Sequence, residues 1–164
     1  MRRLAFIIPF ALAFGLSVAP AAAQTPQVNV TIGGNLVEKA DGLGQRDVDR
    51  QVERLTTVVS RELARRGGLE GAQVNLVLTD LKPNRPTFEQ AADRPGLSVF
   101  DSISIGGATI EGEVVTSDGE RLPVRYSRYS NSLAEVYGFG TWQDADRAYD
   151  RLARNLVEGR LVSR

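Results

Sequence analysis

The chain has 164 residues, and its 20 basic and 20 acidic side chains leave it formally neutral, which gives no electrostatic footprint for nucleic acid. It contains no Cys and no His. That excludes disulfide staples, thiol chemistry and every histidine-based metal or acid–base site, so the fold must rest on its apolar core.

Met1-Arg2-Arg3 opens the chain with positive charge, and Leu4 to Ala19 is an apolar run. The run is shorter than the roughly 20 residues that span a bilayer. Ala21 and Ala23 then stand at the two positions a signal peptidase reads, so cleavage is expected between Ala23 and Gln24. No Cys follows the run, so no lipid attachment is expected there. Residues 1–23 are therefore predicted to be a signal peptide for the general secretory route, and residues 24–164 a single domain. Without Arg2 and Arg3, 18 basic residues face 20 acidic ones. All basic residues except Lys39 and Lys82 are Arg. Together with the export signal, that bias points to a bacterial source and a periplasmic or secreted location.

Val28, Val30 and Ile32 alternate with Asn29 and Thr31, the pattern of a half-buried strand. Leu36-Val37 is read as its continuation past a Gly33-Gly34 bulge, with Lys39 near the strand end, and Asp41 to Gly44 as a turn. Val48, Val52, Leu55, Val59 and Leu63 form one apolar stripe at helical period over Gln45–Arg66, and Gly67-Gly68 stops it. Val74, Leu76 and Leu78 mark a strand over about Gln73–Thr79, which a helical crossover should set parallel to the first. Asp80–Gly96 holds Pro83, Pro86 and Pro95 and reads as a long loop with a helical turn near Phe88–Ala92. Leu97–Ile105 is read as a strand with Val99, Ile103 and Ile105 inward. Ala108–Thr116 and Arg121–Tyr129 read as strands joined by an Asp118-Gly119 turn. Pro123 requires that one edge of the second lack a partner. Ser130–Gly140 is a loop. Thr141 is read as the N-cap of a last helix with Trp142, Ala145, Tyr149, Leu152 and Leu156 on one stripe, ending near Gly159.

The element order is thus β-α-β-β-β-β-α. The fold class is α+β: a two-layer sandwich in which a mixed sheet of about four to five strands carries two amphipathic helices on one face. The other face should show Asn, Thr, Glu and Arg to water.

Several groups of residues invite a chemical reading. Gly42-Leu43-Gly44 lies between strand and helix but has Asp47 where a third glycine would stand, so a turn is preferred over a nucleotide loop. Glu111 and Glu113 point to one side of a strand and could serve a carboxylate-dependent glycoside hydrolase; the plainer reading is a solvated face. Asp144, Asp146 and Asp150 suit a helix N-terminus, with an Asp150–Arg154 pair. Arg46, Arg50 and Arg54 form a row that could meet an anionic lipid or a lipopolysaccharide phosphate. Tyr126, Tyr129, Tyr137, Phe139, Trp142 and Tyr149 crowd one stretch. Trp142 and Tyr149 belong to the helix stripe, while Tyr129, Tyr137 and Phe139 remain open for a sugar-stacking platform. No serine has a base at a known nucleophile spacing. No catalytic residue, cofactor or metal site is assigned.

Val28–Ile32, the Val48-to-Leu63 stripe, Val74–Leu78 and the segment from Trp142 to Leu152 together resemble small exported bacterial envelope domains. These are the N-terminal domain of TolB-type translocation proteins and the curli-secretion lipoproteins; the chain departs from the latter in lacking a lipobox Cys. The resemblance implies a scaffold or interaction role. The expected function is accordingly that of a non-catalytic accessory component of the cell envelope. Lys82, Arg85, Phe88 and Arg94 in the proline-rich loop are its candidate contacts with another envelope protein. The alternatives are the hydrolase and a small-ligand or lipid carrier with a pocket between helices and sheet.

Overall fold

The computed structural model describes residues 25–136 and 138–163; Ala21, Ala23 and Gln24 of the predicted cleavage site, and Tyr137, lie outside them. Five strands form one mixed sheet: β1 (Gln27–Ile32), β2 (Gln73–Lys82), β3 (Gly107–Val115), β4 (Arg121–Tyr129) and the two-residue β5 (Val162–Ser163). Their order in the sheet is their order in the chain. β1 runs parallel to β2, β2–β3–β4 is an antiparallel meander, and β5 joins β4 in parallel. The helices are α1 (Asn35–Leu43), α2 (Gln45–Arg66), α3 (Phe88–Asp93) and α4 (Gln143–Val157). No helix among the described residues is long and apolar enough to cross a membrane.

One face of the sheet carries the apolar half of each alternation. Val74, Leu76 and Leu78 of β2 stand beside Val114 and Ile110 of β3, and these beside Val124 and Tyr126 of β4, all buried. The long helices α2 and α4 pack on each other and on this sheet. Val48, Leu55, Val59 and Leu63 from α2, and Ala145, Tyr149, Leu152 and Leu156 from α4, close the core. Each such large side chain contributes about 1.5–3 kcal/mol by leaving water. The α+β sandwich with two amphipathic helices on one face is therefore the observed architecture. Asn29, Thr31, Asn75, Glu111, Glu113 and Arg125 fall on the opposite face by strand parity.

The elements differ from the expected ones at α1, at the end of β2, over Leu97–Ile105 and at the start of α4, and β5 is additional. Leu36 and Val37 do not extend β1; they begin α1, whose Leu36, Ala40 and Leu43 are buried. The chain turns over β2 at Gly33 and Gly34. A Cβ on Gly33 would lie 2.5 Å from Val77 Cγ1, and Gly34 has φ +53°. β1 stops opposite Leu78, and α1 packs along the rest of β2. Lys39, on this helix rather than on a strand, reaches Asp80 Oδ1 at 2.6 Å. β2 runs three residues further than expected because a bulge between Leu78 and Asp80 resets the alternation. Leu81 is thereby buried while Asp80 pairs with Thr109.

Leu97–Ile105 is not a strand. The Ser98 hydroxyl accepts the N–H groups of Phe100 and Asp101 and donates to Asp101 Oδ2, and Ser98 N–H donates to Ser102 Oγ. These local bonds satisfy the backbone in a turn and compete with a ladder. β3 also has both edges occupied, by β2 and β4, so no place is left for another strand there. Thr141, finally, is not the cap of α4. Trp142 holds that position and makes no side-chain cap. Pro123 behaves as expected. Arg125, two residues on, sends its N–H to Leu161 O, so the Pro123 nitrogen faces the same outer edge, beyond the short reach of β5.

Tyr149 is fully buried, and its hydroxyl has no hydrogen-bond partner among the described residues. An unbonded polar group in the core costs about 1–3 kcal/mol. Tyr149→Phe is therefore expected to stabilise the protein by about 1 kcal/mol in urea unfolding. A loss of stability would mean that the hydroxyl is bonded after all.

Candidate functional site

Asn84 organises one end of the molecule. It follows β2 and Pro83 and is 2% exposed. Its side-chain oxygen accepts the Asp144 N–H at 2.8 Å, and its side-chain amide donates to Asp144 Oδ2 at 2.6 Å. Asn84 thus caps α4 from 60 residues away, the task Trp142 does not perform. Its own N–H donates to Thr141 O at 2.7 Å, and its carbonyl accepts the Ser104 N–H at 2.8 Å. Gly106 packs on the same side chain, leaving no room for a Cβ.

Asp144 is 3% exposed and also accepts from Ser130 Oγ and Arg147 Nη1, both at 2.8 Å. Burial acts most strongly on this carboxyl and raises its pKa. The bonds from Asn84, Ser130 and Arg147, with the Arg147 charge, outweigh burial and hold it below the ordinary aspartate range. One clasp therefore fastens three otherwise irregular segments: 83–87, 97–106 and 130–142.

These segments, with the start of α3, display apolar side chains to solvent. Phe88, Phe100 and Phe139 are 78%, 80% and 89% exposed. All three line one hollow of about 390 Å³, with Val99, Trp142, Pro86 and Thr87, and with Asp47 and Arg50 of α2 at its rim. Arg50 is ion-paired to Asp47. On the other side of Pro86 a second hollow of about 330 Å³ is lined by Leu97, Ile103, Ile105, Lys82, Gln90 and Arg94 among others. The two hollows share Pro86 as a lining residue, and both are partly apolar. Monomeric proteins rarely expose so many large apolar side chains in one place without a use for them.

The four residues singled out in the proline-rich loop separate here. Phe88 lies in the first hollow; Lys82 and Arg94 line the second and a third beside α1. Lys82 also sits 5.3 Å above the Tyr129 ring. Arg85 is different: it is 8% exposed, donates to the Phe100 carbonyl and lies 5.3 Å from the centre of the Phe139 ring. It holds two loops in place rather than reaching outward. Phe100 and the apolar residues of 97–105 were not recognised from sequence, because their alternation reads as a buried strand. Phe139 was noticed only among candidate stacking residues.

The other sequence candidates lie elsewhere. Glu111 meets Arg125 at 3.4 Å and Glu113 meets Arg121 at 2.5 Å on the uncovered sheet face. In the Arg46, Arg50 and Arg54 row, Arg50 pairs with Asp47 and Arg54 with Asp146, the latter at 2.9 Å, so two of its three charges are answered within the protein. Asp144 belongs to the clasp, and the expected Asp150–Arg154 pair does not form among the described residues. Among those residues no group of three or more His, Cys, Asp or Glu could hold a metal ion. Tyr129 is tied down, its hydroxyl donating to Asp80 Oδ2 at 2.7 Å and meeting Thr109 Oγ1 at 3.0 Å. Burial is the main reason its pKa is raised, and the Asp80 contact adds to it. Asp80 has the opposite balance. Burial raises its pKa, but the bonds from Lys39 and Tyr129 and the charges of Lys39 and Lys82 bring it below the usual value.

Compared with known proteins, the chain matches no family model and no curated protein.

Proposed function

We propose that this chain is an exported, non-catalytic protein of the bacterial cell envelope that docks another envelope protein through the surface around Phe88, Phe100 and Phe139. The observation that carries the reading is the exposure of those three rings around one hollow. The segments that bear them are fixed by buried hydrogen bonds, so the surface is preorganised and little ordering entropy is lost on contact. Aromatic anchors at the centre of an interface are the side chains that most often dominate binding.

The triple variant Phe88→Ser, Phe100→Ser, Phe139→Ser removes apolar area from the surface and none from the core. It is expected to retain the wild-type melting curve. Its in-cell cross-links to the envelope partner should weaken by about 2 kcal/mol or more, roughly thirtyfold in affinity. Undiminished cross-linking in a folded triple variant would remove the site from consideration.

A second reading is favoured by the volume of the same hollow, which lies within the range of small-ligand pockets. Trp142 lines it and is the only tryptophan in the chain. Saturable quenching of its fluorescence by an apolar small molecule, with no protein cross-link, would select that reading over docking.

A further inference from the structure

A different part of the surface is electrostatically unusual. Arg128 on β4 and Arg147, Arg151 and Arg154 on α4 converge on a hollow of about 230 Å³, with Asp150 at its side. The three helix residues are spaced i, i+4, i+7 and so share one face, which the strand residue approaches from the sheet. Arg147 shares its charge with Asp144. Arg128, Arg151 and Arg154 have no ion-pair partner among the described residues, and all three are exposed. Elsewhere Arg50, Arg54, Arg65, Arg66, Arg121, Arg125 and Arg160 each meet a carboxylate, while Arg46, Arg61, Arg85 and Arg94 meet none among the described residues; what sets this hollow apart is that its unpaired arginines converge. In a formally neutral chain, four guanidinium groups against Asp144 and Asp150 leave a local surplus of positive charge. Like charges at this spacing repel one another.

Tyr126 gives an independent bearing. It faces inward from β4 beneath α4, and its hydroxyl makes no hydrogen bond among the described residues. Burial raises its pKa, while Arg128, Arg151 and Arg154 each act to lower it. The charges of Arg128, Arg151 and Arg154 therefore act together on this one hydroxyl.

We propose that this hollow binds a phosphate group, with the Arg128, Arg151 and Arg154 guanidinium groups as its ligands. A planar guanidinium offers paired donors that match phosphate oxygens, and a phosphate presents more acceptor oxygens to converging forks than a carboxylate does. Asp150 opposes the anion and limits the net attraction. The group could be supplied by a free phosphate or by the headgroup of an anionic lipid, and the chemistry of the hollow is the same for both.

The test uses the purified chain with inorganic phosphate and pyrophosphate in titration calorimetry, and with phosphatidylglycerol or phosphatidylcholine vesicles in co-sedimentation. Arg151→Gln with Arg154→Gln is the test variant and Arg46→Gln the control. Binding of the soluble anions, weakened at least about tenfold by the double variant and unchanged by the control, supports a free-phosphate site. Binding to phosphatidylglycerol vesicles alone, with the same loss, supports a lipid phosphate. A merely structural role is separated by melting: without anion, the double variant should melt at or above the wild-type temperature, because crowding is relieved. Added ligand should raise only the wild-type value. Absence of binding to every probe, or binding that the double variant retains, overturns the proposal.

Discussion

Replacing Asp144 with Ala is expected to lower the unfolding free energy by about 3 kcal/mol and to loosen the whole aromatic surface. The carboxylate accepts from Asn84, Ser130 and Arg147, and hydrogen bonds to an ionised group contribute roughly 1.5–3 kcal/mol each before water re-enters. Removal takes away the nearer of the buried Asn84 amide's two acceptors, leaving it only the Ser104 carbonyl at 3.3 Å. Arg147 is partly exposed and can turn to solvent, which limits the loss. Asn84→Ala should cost a similar amount, and the double variant should show coupling through the bond from the Asn84 amide to the Asp144 carboxylate, since Asp144→Ala keeps the backbone N–H that Asn84 accepts. Urea unfolding measures the loss. Amide exchange should rise in 97–106 and 130–142 together. A cost below about 1 kcal/mol, or exchange confined to one segment, would contradict the clasp.

The same carboxylate gives a pH signature. Asp144 and Asp80 both have folded pKa values below their unfolded ones. Their contribution is therefore present above the unfolded aspartate value of about 3.9 and disappears as pH falls through the lower folded values. Stability should be level from about pH 7 to 5 and fall steeply below about 4. The Asp144→Ala variant should show a shallower acid limb.

Gly112→Ala is expected to cost about 3 kcal/mol or more, although it adds a single methyl group. Gly112 sits in the middle of β3 with φ +150°, opposite Leu76 and Val124. A Cβ there would overlap the Asn75 carbonyl oxygen and come within 3.0 Å of Leu76 Cα. Both obstacles are backbone of the neighbouring strand, and β3 is hemmed in on both edges, so the sheet cannot yield locally. Gly119→Ala is the comparison. Gly119 also has positive φ, at +88°, but nothing lies within 4 Å of a Cβ, so only backbone strain of about 1 kcal/mol is expected. Equal losses for the two variants would mean that the close approach at Gly112 does not matter.

Legibility from sequence followed the range of the interactions. The α2 stripe from Val48 to Leu63 is local, and its glycine stop at Gly67 is local too; both ends of that helix are where the periodicity predicts. β4 and the body of α4 were equally readable. α1 was not, because Leu36, Ala40 and Leu43 mark only nine residues and lie between glycines that suggest a bulge and a turn. Leu97–Ile105 misled for the opposite reason: its apolar residues alternate like a strand, and the deciding signals are the small side chains Ser98, Asp101 and Ser102. Asn84 was beyond reach, since nothing near it in the chain announces a cap for a helix 60 residues later. The arginine hollow escaped notice likewise, because Arg128 and Arg151 meet only after β4 and α4 have packed.

Because each strand lies beside the one that precedes it in the chain, every pairing in the sheet joins strands consecutive in sequence. The β3–β4 hairpin closes over residues 116–120, whereas β2 reaches β3 only across residues 83–106, and the two parallel additions at the flanks each bring helices across. The hairpin is therefore the least costly closure, and the sheet can grow outward from it.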